Sequence, residues 1–100
     1  MSGAIPKAVD VAIIGAGLGG LVCGIELARH GVPICVFDKE PVGGGYAQNF
    51  RRRGFHFDLS LHHIGAMEPG GFTHGCLESL GVLEKLNIVR HKELFEIEFP

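Results

Sequence analysis

Residues 10–38 have the sequence DVAIIGAGLGGLVCGIELARHGVPICVFD, in which two apolar runs are joined through a glycine-rich turn and a helical pattern. Residues 11–14 are apolar without helical periodicity, which is typical of a parallel strand buried on both faces. Over residues 18–30 apolar and small residues recur at roughly helical spacing, and Gly31 ends the pattern. Residues 34–37 form the second apolar run. The stretch therefore predicts strand, turn, helix and strand in that order.

The turn after the first strand has the spacing Gly-x-Gly-x-x-Gly, at Gly15, Gly17 and Gly20. In such a turn the first glycine permits the sharp bend, the second lets the backbone approach a diphosphate, and the third lets the helix pack closely on the sheet. Asp38 ends the second strand, where a carboxylate accepts hydrogen bonds from adenosine ribose hydroxyls and repels the 2′-phosphate of NADP. Glycine-rich turns are often merely structural, but here the strand before the turn, the helix, the second strand and the terminal carboxylate all follow at the expected positions. This predicts a dinucleotide-binding βαβ unit.

Composition sets the bounds on the class of protein. The 100 residues are 46% hydrophobic with a net charge of -2, which is enough apolar material for one small core and gives no reason to expect a nucleic-acid partner. No segment has the roughly 20 apolar residues that cross a bilayer, and the first nine residues lack the features of a signal peptide. Three scattered cysteines, Cys23, Cys35 and Cys76, suggest buried thiols in a reducing compartment, so we expect a cytoplasmic protein.

The expected domain organisation is incomplete, because a doubly wound sheet has about five or six strands and this sequence supplies the first two. We expect a lead-in over residues 1–8, a dinucleotide-binding unit over residues 9–65, and the start of a further region over residues 66–100 that continues in a longer protein. A self-contained small domain remains the alternative.

Two further stretches have alternative interpretations. Residues 41–45, PVGGG, form either a flexible turn or a second wall of the cofactor site. Residues 51–53 are three arginines before Gly54, which are typical of a solvated turn, or would assist cofactor phosphates or an acidic partner.

Residues 55–60 alternate apolar and polar side chains, as on a half-buried strand.

The histidines do not predict a metal site. His56, His62, His63 and His74 are the densest group, but they lack the spacing of metal ligands. One of His62 and His63 remains a candidate to face a flavin or a substrate.

The last third of the chain has a helical pattern over residues 70–80, ended by Gly81, and then a short helical turn. Core packing is its expected role, with cofactor contact as the alternative. Residues 88–90 and 94–99 are predicted to be strands, the second with one apolar and one mostly acidic face.

Residues 9–100 resemble the amino terminus of the FAD-dependent phytoene desaturase, carotenoid isomerase and retinol saturase group, within the amine-oxidase-like flavoproteins. DVAIIGAGLGGLVCGIELARHGVPICVFDKE resembles their fingerprint, and VGGGYAQNFRRRGFHFDLSLHHIG resembles their glycine-pair loop and strand. GCLESLGVLEKLNIVR resembles the helix, turn and strand that enter their substrate domain, so the resemblance implies that residues 66–100 are the start of a substrate-domain region. The stretch FHFDLSLHHIG is the part that indicates this subgroup.

The resemblance implies FAD rather than NAD, with the diphosphate on the fingerprint glycines, the ribose on Asp38, and the family's glycine pair at Gly44 and Gly45. The expected cofactor-binding residues are Gly15, Ala16, Gly17, Leu18, Gly19, Gly20, Asp38, Lys39, Gly44, Gly45 and Tyr46.

The chain departs from the family pattern at four positions. Asp38 stands where glutamate is usual, which keeps the hydrogen bonds, and Ser60 stands where a glycine is common. Asn49 replaces a threonine or serine. Tyr46 replaces the arginine that many amine oxidases place after the glycine pair, which argues against amine-oxidase chemistry.

The implied activity is that of an FAD-dependent oxidoreductase, a desaturase, saturase or isomerase, acting on a polyene or other isoprenoid-like apolar substrate. A small apolar substrate and peripheral contact with a membrane are the expected partners. No nucleophile and base pair is evident in the sequence, so it identifies no catalytic residue. The alternatives are an NAD-dependent dehydrogenase and a truncated, non-catalytic nucleotide-binding module.

Overall fold

The computed structural model describes Ala4 and residues 6–100, so the predicted lead-in falls partly outside the described residues. The strands are β1 (Val11–Ile14), β2 (Ile34–Phe37), β3 (Asn49–Arg52) and β4 (Phe55–Asp58), and the α-helices are α1 (Leu18–Arg29) and α2 (Phe72–Ser79). Single 3-10 turns lie at Gly45–Ala47 and Leu83–Lys85. Neither α-helix of the described residues is long and apolar enough to span a membrane.

The first unit is the predicted βαβ unit. Strands β1 and β2 are parallel and in register from Val11 opposite Ile34 to Ile14 opposite Phe37. Helix α1 crosses one face of this pair at Gly24, the buried residue of the helix. A Cβ there would lie 3.4 to 3.6 Å from side-chain atoms of Ile13, Val36 and Ile34. The absence of a side chain at residue 24 therefore lets the helix pack directly on the strands, and the predicted order of strand, turn, helix and strand, which is that of a Rossmann-type βαβ unit, is confirmed.

The opposite face of β1 and β2 is uncovered, which corrects the expectation of a strand buried on both faces. Ile14 is 82% exposed and its neighbour Phe37 is 38% exposed. Both point away from α1, because alternate residues of a strand face opposite sides of a sheet. No second layer packs on them among residues 6–100, since the sheet has two strands and one helix.

The second unit is an antiparallel hairpin of β3 and β4, with Asn49 opposite Asp58 and Arg52 opposite Phe55. Its turn is Arg53-Gly54, and both residues have positive φ, 51° and 85°. That backbone suits a two-residue hairpin, because its twist matches that of the strands. The predicted strand is present over Phe55–Asp58, but all four of its residues are exposed, so the expected half-burial is wrong. The prediction that all three arginines form the turn is wrong, because the first two pair within β3.

In the carboxyl-terminal third of the chain the predicted helix is present, whereas the two predicted strands are not. Helix α2 ends before Gly81 (φ 70°), and the amide of Val82 donates to the carbonyl of Leu77. The predicted short helical turn is present at Leu83–Lys85. The strands predicted over residues 88–90 and 94–99 are absent from the described structure. No other strand of the described residues pairs with either segment, and an unpaired strand has no ladder of hydrogen bonds.

The described residues do not enclose a hydrophobic core, contrary to expectation. None of their apolar side chains is buried, and the accessible surface is 8861 Å², against roughly 5,500 Å² for a compact chain of this size. The radius of gyration is 17.1 Å, whereas about 13 Å is typical of 100 compact residues.

This open packing also corrects the predictions for single side chains. Cys23 and Cys76 are exposed and Cys35 is half-buried, so the expectation of buried thiols is wrong. Phe72 of α2 is 82% exposed, so its predicted core packing is also wrong.

Candidate dinucleotide site

The glycine turn connects the end of β1 to the start of α1. The amide of Gly15 donates to the carbonyl of Phe37 at 2.7 Å, which extends the pairing of β1 with β2 by one residue. Gly15 has φ +104°, a conformation that favours glycine. Gly17 is the N-cap of α1, with extended backbone, and its carbonyl accepts the amide of Leu21 at 2.9 Å. The chain therefore turns sharply from strand to helix at the carboxyl edge of the sheet.

The glycines of the turn differ in what surrounds them. A Cβ at Gly15, Gly17 or Gly19 would have no heavy atom within 4 Å, so the space beside these residues is open. A Cβ at Gly20 would overlap the carbonyl oxygen of Gly15. The first three thus leave the backbone accessible to a ligand, whereas Gly20 allows close packing of the helix on the turn.

The amino terminus of α1 is suited to an anion. Its first turn has no acidic residue and Gly17 provides no side-chain cap, so no side chain of the cap competes for the free amides. Such amides, together with the helix dipole, attract phosphate groups. Ala16 and Gly17 are half-buried beside them and Leu18 is 57% exposed.

Asp38 lies directly after β2 and joins the turn through two hydrogen bonds. Its Oδ2 accepts the amide of Ala16 at 2.6 Å, and its Oδ1 accepts the amide of Glu40 at 2.8 Å. The bond from Glu40 is the largest cause that lowers the pKa of the Asp38 carboxyl, followed by the bond from Ala16. Desolvation opposes these bonds and raises this pKa, while the charge of Lys39 lowers it further. The carboxylate is therefore ionised at neutral pH, and each oxygen retains capacity for a further donor.

An open cavity of about 390 Å³ lies at the carboxyl ends of both strands. Its lining residues are Ile14, Gly15, Phe37, Asp38 and Lys39. Ligands of open parallel sheets bind at this edge. Two apolar side chains beside one carboxylate suit the base and ribose of a nucleoside.

The second glycine loop lies against the first. The amide of Gly44 donates to the carbonyl of Ala16 at 2.6 Å, and Gly17 and Gly44 form an isolated parallel bridge. A Cβ at Gly45 would lie 3.1 Å from the Cα of Gly17, so the contact is close. Gly44 and Gly45 both have positive φ, 120° and 58°. This placement favours a wall of the site over a free turn, and Tyr46 follows it with 81% of its surface exposed.

Two side chains that the sequence did not suggest fix the second loop. Gln48 donates from Nε2 to the carbonyl of Val42 at 2.9 Å and closes the loop. The hydroxyl of Ser60 donates to the carbonyl of Tyr46 at 3.0 Å. For Ser60 the sequence offered one signal, which is that a serine stands where the resembled family commonly has a glycine. Nothing in the sequence pattern marked Gln48, because its partner is a backbone carbonyl.

The paired histidines have contacts of their own. His62 lies 3.8 Å from a carboxylate oxygen of Asp58, through Nδ1, and the ring of His63 meets the ring of His91 edge-on with centroids 5.6 Å apart. Neither of these contacts involves a glycine loop. Within residues 6–100, no group of three or more histidine, cysteine or acidic side chains is arranged to hold a metal ion.

Two parallel strands, a helix that begins at a glycine turn, and an ionised carboxylate beside an open cavity define a dinucleotide-binding unit of the Rossmann type. Residues 13–73 match the profile of the NAD(P)-binding Rossmann-like domain. The chain belongs to this family.

Curated relatives confirm the predicted group. The chain is 34% identical to the human all-trans-retinol 13,14-reductase over 76 residues, which are 76% of the chain and 12% of that relative. It is 32% identical to the rat all-trans-retinol 13,14-reductase over 98 residues, 96% of the chain and 16% of the relative. Prolycopene isomerase 1 from an Oncidium hybrid cultivar is 42% identical over 50 residues, 50% of the chain and 8% of the relative. These relatives form an enzyme family of reductases and isomerases, and the matches cover only a small part of each.

Proposed function

We propose that this chain supplies the FAD-binding amino terminus of an FAD-dependent oxidoreductase of the desaturase, saturase or isomerase type. Its substrate class is a polyene or another isoprenoid-like apolar molecule. The observation that carries the proposal is the hydrogen bond from the amide of Gly44 to the carbonyl of Ala16, which pairs the second glycine loop with the fingerprint turn beside Asp38.

The paired loops favour FAD over NAD. A fingerprint turn with a terminal carboxylate serves either dinucleotide. The second loop adds a backbone wall against the same turn, and it corresponds to the glycine pair of the flavoproteins that this chain resembles. The names of the relatives, a retinol reductase and a prolycopene isomerase, support the substrate class.

The residues of the site fit the cofactor part by part. The open backbone at Gly15, Gly17 and Gly19, with the free amides of α1, would hold the diphosphate. Asp38 would accept the ribose hydroxyls, and Lys39 with the apolar side chains of the cavity would border the adenosine. The loop of Gly44, Gly45 and Tyr46 would close the second side.

Bound flavin would supply the electron and hydride chemistry. The residues described here would bind the cofactor and orient it. The free amides of α1 would neutralise diphosphate charge, while the carboxylate of Asp38 would fix the ribose and exclude a 2′-phosphate. The chain thus contributes cofactor capture to the reaction.

The test is to produce the complete gene product, denature it, and identify the released cofactor by chromatography and absorbance. Near-stoichiometric FAD is the expected result and would justify a screen of polyene substrates. Release of NAD would place the protein among dehydrogenases, and an empty site would leave a non-catalytic module.

A pair of glycine variants makes the test specific to the site. In Gly17→Val, the side chain occupies the open space where the diphosphate would approach, so the affinity for FAD should fall at least tenfold, about 1.4 kcal/mol in binding free energy. Gly75→Ala is the control, because residue 75 lies in α2 with open space around it and outside the site.

A further inference from the structure

Ser60 connects the β3–β4 hairpin to the second glycine loop, residues 41–48. Its hydroxyl donates to the carbonyl of Tyr46 at 3.0 Å. The hairpin determines where this hydroxyl lies, because the amide of Leu59 donates to the carbonyl of Gln48 at 3.0 Å and extends the pairing of β3 with β4 by one residue toward the loop. Ser60 follows Leu59 directly, so the end of the hairpin brings it to the loop.

The peptide unit between Tyr46 and Ala47 is held at both of its polar groups. Its carbonyl accepts the hydroxyl of Ser60, and its amide donates to the carbonyl of Gly44 at 3.0 Å. The second of these bonds lies within the loop, whereas the first comes from a different element. Ser60 therefore fixes the orientation of this peptide unit relative to the hairpin.

Gly44 connects that peptide unit to the fingerprint turn. The amide of Gly44 donates to the carbonyl of Ala16 at 2.6 Å, and the amide of Ala16 donates to Oδ2 of Asp38 at 2.6 Å. Four hydrogen bonds thus lead from the hydroxyl of Ser60 to the carboxylate of Asp38, and each donor points in the direction of Asp38. A change at the first bond removes a constraint on the position of every group that follows.

Ser60 differs in this respect from the other side chain that supports the loop. Gln48 donates to the carbonyl of Val42 and closes the loop on itself. Among the side-chain hydrogen bonds of Ala4 and residues 6–100, the bond from Ser60 is the one that attaches the loop to the hairpin. A glycine, which is common at residue 60 in the resembled family, has no hydroxyl to make it.

We propose that Ser60 is a positioning residue of the dinucleotide site and acts through the second glycine loop. It does not line the cavity beside Asp38, so its effect on the cofactor is indirect. The hydroxyl holds the loop as a wall against the fingerprint turn and so raises the affinity for the dinucleotide. This inference rests on the proposed function, because that function makes the loop part of the cofactor site.

The experiment uses the complete gene product and two measurements, hydrogen exchange in the protein freed of cofactor and titration with FAD and with NAD. Ser60→Ala should speed exchange at the amides of Ala47 and Gly44. It should also raise the Kd by about three- to tenfold, the range for loss of one neutral hydrogen bond. Ser60→Thr keeps a hydroxyl and should restore both values.

The matched control is Ser79→Ala. Ser79 also donates its hydroxyl to a backbone carbonyl, that of Cys76 at 2.8 Å, but it lies in α2 outside the site. This variant should bind the dinucleotide as the unchanged protein does. Both alanine variants are also unfolded in urea, and equal midpoints without cofactor would show that the change in Kd does not reflect a general loss of stability.

A double-mutant cycle with Asp38→Asn tests whether Ser60 acts through the line of hydrogen bonds. Because the substitution alters the last of these bonds, Ser60→Ala should raise the Kd less in Asp38→Asn than in the unchanged protein. Full additivity of the two effects would contradict the connection.

Three further results would overturn the proposal: an unchanged Kd in Ser60→Ala, an equal loss of affinity in Ser79→Ala, or no recovery in Ser60→Thr. Failure of the proposed function is seen separately, in the unchanged protein. Binding of NAD without FAD would contradict that function, and the NAD affinities of the variants would then decide the role of Ser60. A protein that binds neither dinucleotide would overturn both.

Discussion

Asp38 joins the two parts of the site through its backbone partners. Its carboxylate holds the amide of Ala16, whose own carbonyl accepts the amide of Gly44. Asp38 therefore holds the peptide unit that contains the amide of Ala16, and the second glycine loop holds the next unit, which contains its carbonyl. A change at Asp38 should affect the geometry of the turn as well as the ribose contact.

For Asp38→Asn we expect weaker dinucleotide binding, because the amide nitrogen of the new side chain cannot accept the bond that one carboxylate oxygen now accepts. The Kd should rise by about tenfold or more, since hydrogen bonds to charged groups contribute about 1.5 to 3 kcal/mol. Asp38→Glu is the control and should retain binding. Equal affinity of all three proteins, measured by titration, would contradict a role for this side chain.

The same residue predicts a pH dependence of stability. Its pKa in the folded chain is lowered from the ordinary value of 3.8, so its stabilising contribution is complete above that value and is lost as pH falls through the folded pKa. The unfolding midpoint of the complete protein in urea, measured from pH 5 downward, should therefore fall more steeply than that of Asp38→Asn. Parallel curves would show that the two amide bonds do not favour the charged form.

Gly20 predicts a steric effect, because a Cβ there would overlap the carbonyl oxygen of Gly15. Gly20→Ala should displace α1 from the turn and lower the free energy of unfolding by about 1 to 3 kcal/mol. Gly75→Ala, in the open middle of α2, should instead raise it by about 0.5 to 1 kcal/mol. Denaturant unfolding of both variants, made in the complete gene product, checks the pair, and equal effects would mean that the overlap is relieved at no cost.

Among the elements, those that local signals define were predictable. The bounds of β1 and β2 follow from short apolar runs, and α1 ends where Gly31 requires positive φ, 77°. The glycine turn and Asp38 were likewise predictable, because their spacing along the chain sets their positions in space. Residues 88–90 and 94–99 have strand-like patterns, but a strand also needs a partner whose position no local pattern records.

The support of the second glycine loop was not predictable for a related reason. Gln48 and Ser60 act on backbone carbonyls of the loop. Any residue type presents a carbonyl, so the partner leaves no trace in the sequence. Burial was also mispredicted, as at Cys23, because an apolar pattern indicates which side of an element prefers to be covered but not whether a layer covers it.

The hairpin turn predicts a stabilising substitution. Arg53 has φ 51° and precedes Gly54, and the favoured pair for such a turn is Asn-Gly. Arg53→Asn should therefore stabilise the β3–β4 pairing by up to about 1 kcal/mol. Arg51→Asn, within β3, is the control and should weaken it, because asparagine is depleted in strands. Hydrogen exchange at the amides of the hairpin measures both, and faster exchange in Arg53→Asn would contradict the assignment of the turn.

At the scale of the whole molecule, apolar surface is uncovered throughout the described residues, including the face of β1 and β2 away from α1, the side of α2 at Phe72, the β3–β4 hairpin and residues 94–99. The dinucleotide site lies at the carboxyl edge of the first of these, where further strands of a doubly wound sheet would adjoin it.

The hundred-residue chain produced by itself should therefore lack a cooperative unfolding transition. Its surface of 8861 Å² exceeds that of a compact chain by more than half, and burial of apolar surface is the main force that opposes chain entropy. We expect binding of the dye ANS, weak near-ultraviolet circular dichroism and retained far-ultraviolet signal, as in loosely packed states. Calorimetry and urea titration check this. A sharp two-state transition together with tight FAD binding would contradict it and would favour the non-catalytic module, since the βαβ unit would then be stable without further layers.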